Sequence, residues 1–279
     1  MPANHFDNRP LLPGTRVACR VEYQGNAFHG WQAQVSHGHA TVQETVEAAL
    51  SAIGNTSIRI ACAGRTDAGV HGFAQIIHFD DPVGRSPKAW VVGGNSQLPA
   101  SVRLHWAVPV DTTFHARFSA LWRRYRYIVS NTSIKSAHLA GLVTPCRRPL
   151  CADTMAQAAV VLLGEQDFSA FRAASCQSST PFRCVTAIEV WRQGDFVVID
   201  ITANAFLHHM VRNIAGSLLV VGAGERSPAW FADVLASKDR TLAAETAPPD
   251  GLYLVEVGYP DRYTLPSVPP GPMMISGLS

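Results

Sequence analysis

No stretch of the chain reaches the ~18 apolar residues that a membrane-spanning helix needs, and the start, MPANHFDNRPLLPG, lacks the basic and apolar regions of a secretory leader. A cytoplasmic protein without a membrane partner is therefore expected. Charged residues amount to only 16% and hydrophobic ones to 47%, which excludes a disordered chain and a long coiled coil. The six cysteines, at positions 19, 62, 146, 151, 176 and 184, include no CxxC pair and no Cys/His spacing of a structural zinc site. Reduced, mostly buried thiols are expected rather than a disulfide framework. Lysine is scarce, three of the 23 Lys and Arg residues, and acid is missing altogether between Thr112 and Ala152.

What is present starts from that last gap. Arg117, Arg123, Arg124, Arg126, Lys135, Arg147 and Arg148 lie in the acid-free stretch. A net charge of only +2 announces no nucleic-acid partner by itself, but this run is a candidate phosphate-facing surface. Arginine suits that task, because its planar fork grips phosphate through two hydrogen bonds and stacks on rings.

Hydrophobic period places the elements. Val17, Cys19, Val21 and Tyr23 alternate on one face of a strand over Arg16–Tyr23. Thr41 and Glu44 form a capping box for a helix carrying Val42, Val46, Ala49, Leu50 and Ile53, ended by Gly54. Ile58–Cys62 and Phe73–Phe79 read as strands around AGRTDAGVHG, and Leu104, Trp106, Val108 and Val110 as one face of another. Further on, Tyr125, Tyr127 and Val129 alternate with Arg124, Arg126 and Ile128. Asp153 is placed to cap a helix with Met155, Ala158, Ala159, Leu162 and Leu163, ended by Gly164. Val185–Trp191 and Phe196–Ile201 enclose a hairpin turn, and Phe206, Met210, Ile214 and Leu218 form a helical stripe. Ser227-Pro228 opens another helix, Leu252–Val257 is a last strand, and the proline-rich end beyond Tyr259 is expected to be extended or loosely held. The order predicts an α+β chain of two α/β halves, 1–113 and 114–260, followed by a tail, 261–279.

Two segments carry the chemistry. In AGRTDAGVHG, small residues surround Arg65, Thr66, Asp67 and His71, so another molecule can approach the backbone and an arginine can hold a carboxylate ionised and oriented. A nucleophilic carboxylate needs that setting, although a tight turn with an ordinary surface pair would use the same residues. Val70-His71 stand where a phosphate-binding P-loop has Lys-Ser/Thr, which argues against that reading. In AFLHHMVRN, His208 and Arg212 are four apart on the expected helix, with His209 between them. The glutamate of H-E-x-x-H is missing, so no metal is assigned, and the charge favours an anionic ligand. Phe171, Arg172 and Gln177 belong to a long polar connection whose aromatic and basic residues can stack on bases and grip a backbone, or simply pin the loop.

Together, YQGNAFHGWQAQ, TVQETVEAAL, GRTDAGVHG, FHARFSALWRRYRY, LLGEQDFSAFRA, CQS, ANAFLHHMVRNIAG and GLYLVEVGYP resemble the tRNA pseudouridine synthase A family over about residues 16–260. The resemblance implies two related α/β halves around a long, mainly antiparallel sheet with a central cleft. It implies a homodimeric isomerase, free of cofactor and metal, that converts uridine to pseudouridine at positions 38–40 of the tRNA anticodon stem-loop. The family's catalytic aspartate falls on Asp67, its ring-stacking tyrosine on Tyr125 and its active-site arginines on Arg65 and Arg212. Arg65, Thr66, His71, Arg117, Arg124, Arg126, Phe171, Arg172, Gln177, His208 and His209 are the candidate substrate-binding positions. A carboxylate can support the isomerisation by attacking the sugar C1′, assisting glycal formation or adding to the base. Gln24 departs from the family's usual Tyr-Asp-Gly, outside the catalytic set. An RNA-binding protein without activity would keep the same scaffold and basic surface.

Overall fold

A computed structural model describes residues 7–32, 40–267 and 269–275. Ala33 and Gln34 of the YQGNAFHGWQAQ segment, Val268 and the last four residues of the tail lie outside the described residues. The chain forms two compact units, one comprising the residues up to Leu121 with Leu254–Pro272, the other Trp122–Tyr253 and the residues from Met273. The crossing follows Leu121 rather than residue 113 because Phe114–Ala116 belong to the first core: Phe114 packs on Tyr263, and the Ala116 N–H donates to His78 Nδ1. Long-range contacts of this kind leave no mark on local periodicity.

In the first unit β1 (Arg16–Tyr23), α1 (Val42–Gly54), β2 (Ala61–Cys62), β3 (His71–Asp80), α2 (Gly94–Gln97) and β4 (Val102–Pro109) follow in order. The strands run β4-β1-β3, antiparallel, with β2 on β3 and the returning strand Leu252–Gly258 beside β3. The capping box forms as expected: Thr41 Oγ1 accepts from the Glu44 N–H and donates to Glu44 Oε2. Val42, Val46, Ala49 and Leu50 meet Val17, Cys19, Val21 and Tyr23 in one core. The helix ends at Gly54 as expected, and Asn55, at φ +50°, caps it.

Two expected strands come out differently, for local reasons. Ile58–Ile60 make no ladder, because the Ile58 N–H donates to Ser51 Oγ and the Ile60 N–H to the buried carboxylate of Glu47, both on α1. In β4 the pairing steps from Arg20↔Trp106 to Val21↔Leu104, leaving His105 as an extra residue. That bulge parts Leu104, in the core under α1, from Trp106, in a second core with Ala63, Ile76, Phe114 and Tyr263. Tyr263 and the Gly271 backbone, which lies against the Phe73 ring, tie the described tail down, correcting the loose tail expected from its prolines.

The second unit contains β5 (Trp122–Ser130), β6 (Thr144–Pro145), α3 (Ala152–Ala159), β7 (Gly164–Asp167), β8 (Phe182–Gln193), β9 (Phe196–Ala203), α4 (Met210–Gly222) and α5 (Pro228–Ser237). The sheet runs β5-β9-β8-β7, antiparallel, with β6 parallel to β5. The hairpin turns at Gly194-Asp195, and Ser227 caps α5 by accepting from the Trp230 N–H. Cys151, not Asp153, precedes α3, and Leu163 faces solvent because a tight turn, Val160–Leu162, rotates it off the stripe. All six cysteines are free, but only Cys19 and Cys146 are buried, fewer than their apolar character suggests. No helix among the described residues is long and apolar enough to cross a membrane.

Candidate active site

The first unit builds its half of the chemistry on the turn between β2 and β3. Gln75, fully buried on β3, holds the turn's entrance: its Nε2 donates to the Gly64 carbonyl (2.6 Å) and its Oε1 accepts from the Gly64 N–H (3.3 Å). Thr66 is the anchor. Its hydroxyl lies 2.8 Å from Tyr23 Oη and its carbonyl accepts from the Trp31 N–H. The exit closes through the Val70 N–H on the Asp67 carbonyl, with Gly69 at φ +81°, a conformation that favours glycine. Thr66 is pinned inward, whereas Arg65 is exposed and Asp67 half-buried.

His71 is buried at the head of β3, where Nδ1 accepts from the Gly25 N–H (3.1 Å). Gly25 touches the turn so closely that a Cβ there would stand 2.0 Å from the Val70 carbonyl oxygen. His71 and Thr66, expected to meet substrate, are buried and brace the turn. Arg117 is exposed, 52 residues from Arg65, yet both arginines reach one group. Burial pushes the Cys62 thiol up to about 12, while the charges of Arg65 and Arg117 both act to lower it.

In the second unit Tyr125 sits on β5 opposite Ile201, buried to 8% exposure, with Phe206 packed against its ring edge-on at 5.1 Å. Arg212 occupies the first turn of α4, where the helix dipole disfavours a cation. It is held by its Nε donating to the Ala247 carbonyl (2.8 Å), while the Ala247 N–H donates to the Arg212 carbonyl. His209 precedes α4 with φ +60°, so His208 and Phe206 stand before the helix, and His208 and Arg212 do not share it as expected. His208 instead closes onto the Cys176 loop: its N–H donates to Sγ, and its Nδ1 lies 3.1 Å from Ser175 Oγ.

Other expected contacts also turn inward. Phe171 is fully buried and stacked on Phe231 at 5.5 Å, so it cannot meet a base. Arg172 donates to the carbonyls of Cys176 and Ser178, strapping the loop that exposes Gln177. Arg124 and Arg126 both bond the buried carboxylate of Asp200 on β9, which offsets one of their two charges. Sequence reasoning missed three structural residues: Asp200, Gln75 and the buried Asn213. Asn213 Nδ2 donates to the Phe171 carbonyl while Oδ1 accepts from Arg240 and Thr246. Asp200 alternates among apolar neighbours in β9 and could have been suspected from that alone.

The first unit thus carries a carboxylate on a braced turn with an exposed arginine two residues before it, and the second carries a clamped arginine in a helix's first turn and an edge-packed tyrosine. Comparison with known proteins gives the class. The family model described as tRNA pseudouridine synthase matches residues 20–119 and 158–260. A tRNA pseudouridine synthase A of Idiomarina loihiensis is 54% identical over 261 residues, 93% of this chain and 99% of its own length. That of Alcanivorax borkumensis is 51% identical over 261 residues, 94% and 97% of the two chains. That of Escherichia coli strain SE11 is 51% identical over 271 residues, 97% and 100%. The chain belongs to the tRNA pseudouridine synthase A family. A chain from the crystal structure of a Cbf5-Nop10-Gar1 complex aligns over 85% of this one at 12% identity and TM-score 0.32, covering 57% of its own length, too low to bear on the fold.

Proposed function

We propose that this protein isomerises uridine to pseudouridine in tRNA, at positions 38–40 of the anticodon stem-loop, with Asp67 as the catalytic carboxylate. The observation that carries the reading is the braced turn of GRTDAG, which carries Asp67, in a chain 54% identical to a tRNA pseudouridine synthase A over nearly its whole length. The reaction breaks N1–C1′, turns the uracil while it stays enclosed, joins C5 to C1′, releases the C5 proton and leaves N1 protonated, so that the product is an isomer of the substrate. Each route open to a carboxylate needs it ionised beside the reacting nucleotide. Arg212 orients it, Tyr125 stacks on the uracil through the exposed remainder of its ring, and Arg65 and Arg117 hold phosphate. Extruding the target nucleotide brings its base within reach, and pairs at a stem end cost least to open. The protein acts as a cytoplasmic homodimer, in keeping with its family.

Tritium release from tRNA carrying 5-³H-uridine tests the assignment, because loss of label requires opening C5–H. The protein is expected to release label and Asp67→Asn to bind tRNA without releasing it. Binding without release by the unsubstituted protein would overturn the isomerase reading, and release by Asp67→Asn would overturn the role of Asp67. Light scattering of the pure protein tests the dimer.

A further inference from the structure

Phe118 is the most exposed phenylalanine among the described residues, 77% accessible, in the first unit. A single apolar side chain on a surface needs no explanation. What sets this one apart is how firmly its backbone is held. The His115 N–H donates to Ser119 Oγ, the Ser119 N–H donates to the His115 carbonyl, and His115 Nδ1 accepts from both the Arg117 and Phe118 N–H groups at 3.1 and 3.3 Å. Burial and the charges of Arg16 and Arg117 hold the His115 imidazole below its usual pKa, so Nδ1 remains an acceptor at neutral pH. The His115 ring lies against Phe118 at 4.3 Å and 31°, and the Arg117 guanidinium lies 5.7 Å from the ring centre. Phe118 is thus in contact with an imidazole and a cation while most of its surface faces water.

The turn is tied to the strands that carry the GRTDAG segment. His115 packs on His78 at 4.6 Å, Ala116 donates to His78 Nδ1, and His78 pairs across the sheet with Ala61. The charge of Arg117, like that of Arg65, acts to lower the pKa of the Cys62 thiol. An exposed ring on a rigid turn, in a stretch without acid and beside arginines, has the physical character of a base-stacking platform on a polyanion.

We propose that Phe118 stacks on an unpaired nucleobase of the bound tRNA and so positions the strand for the reaction at Asp67. This rests on the tRNA reading above. A base has a π face that an aliphatic side chain does not match, so the test compares Phe118→Ala, Phe118→Leu and Phe118→Trp. The dissociation constant of an unmodified tRNA transcript and the kcat and KM of tritium release are measured for each. Alanine and leucine are expected to weaken tRNA binding about tenfold and to raise KM in proportion, whereas tryptophan restores both. Melting temperatures should stay within about 1 °C, because so exposed a ring carries little of the fold.

Unaltered binding by Phe118→Ala, or full rescue by leucine, would overturn the proposal. So would a fall in melting temperature matching the loss of binding, since it would show a structural role. Should the unsubstituted protein bind tRNA and release no label, the catalytic reading fails while the binding comparison still decides the role of Phe118.

Discussion

Asn213 joins three parts of the second unit, and replacing it with alanine measures what that junction is worth. The amide is fully buried. It gives one hydrogen bond to the Phe171 carbonyl (2.8 Å) and accepts one from Arg240 (3.1 Å) and one from Thr246 (2.7 Å). Alanine strands the Phe171 carbonyl, a loss of about 1–3 kcal/mol. Arg240 and Thr246 keep their mutual bond of 3.0 Å, so their share is smaller, about 1 kcal/mol. The sum is about 3 kcal/mol, which at about 2–4 °C per kcal/mol lowers the midpoint by about 6–12 °C. Because Thr246 precedes the Ala247 that clamps Arg212, tritium release well below the midpoint should fall as well. Circular dichroism melting checks the first number. Pairing Asn213→Ala with Thr246→Val should show coupling of about 1 kcal/mol, since both remove the same bond. A midpoint loss under about 2 °C, or strict additivity of the pair, would refute the role of Asn213 as the junction.

Gly25→Ala drives a Cβ into the backbone of the catalytic turn, 2.0 Å from the Val70 carbonyl oxygen. kcat should fall about 100-fold with tRNA affinity kept, because a displacement near 1 Å is enough to spoil alignment; parental kcat would show that the turn need not be held. Stability should also depend on pH through His78, whose imidazole is lowered to about 4, first by burial and then by the charges of His115 and Arg16. An unfolded histidine titrates near 6.5, so from about 6.5 down to about 4 the unfolded chain takes up more protons and stability falls as pH drops. His78→Asn keeps an acceptor for the Ala116 N–H and removes the titration. Urea midpoints between pH 6.5 and 5 should then flatten, and an unchanged slope would count against His78 as the source.

How much of this was legible varies with the range of the interaction. The Thr41 cap, the helix that follows it, the Gly194-Asp195 hairpin and the Ser227-Pro228 start are decided within a few residues, and all four are found where the sequence puts them. The GRTDAG turn was legible as a connection between strands. Its buried and exposed residues were not, because Thr66 is pinned by Tyr23, 43 residues earlier. Phe171 and His71 look like contact residues by type and motif, yet both are buried by partners distant in sequence. His208 was expected on the helix of Arg212 and stands before it, because of one backbone angle, that of His209.

Composition and local pattern alone thus determined an α+β scaffold, its main elements and the connection that carries Asp67, because turns, caps and alternation depend on near neighbours. Only the tertiary structure decided which charges are available and which are occupied. Asp200 meets Arg124 and Arg126 because β5 and β9 pair in one particular register, and Leu104 parts from Trp106 because a single extra residue, His105, reverses the face. A one-residue shift moves every following side chain to the other side of a sheet. Register is set by the packing of the whole unit, and so the partners of a buried charge emerge only when the strands are laid side by side.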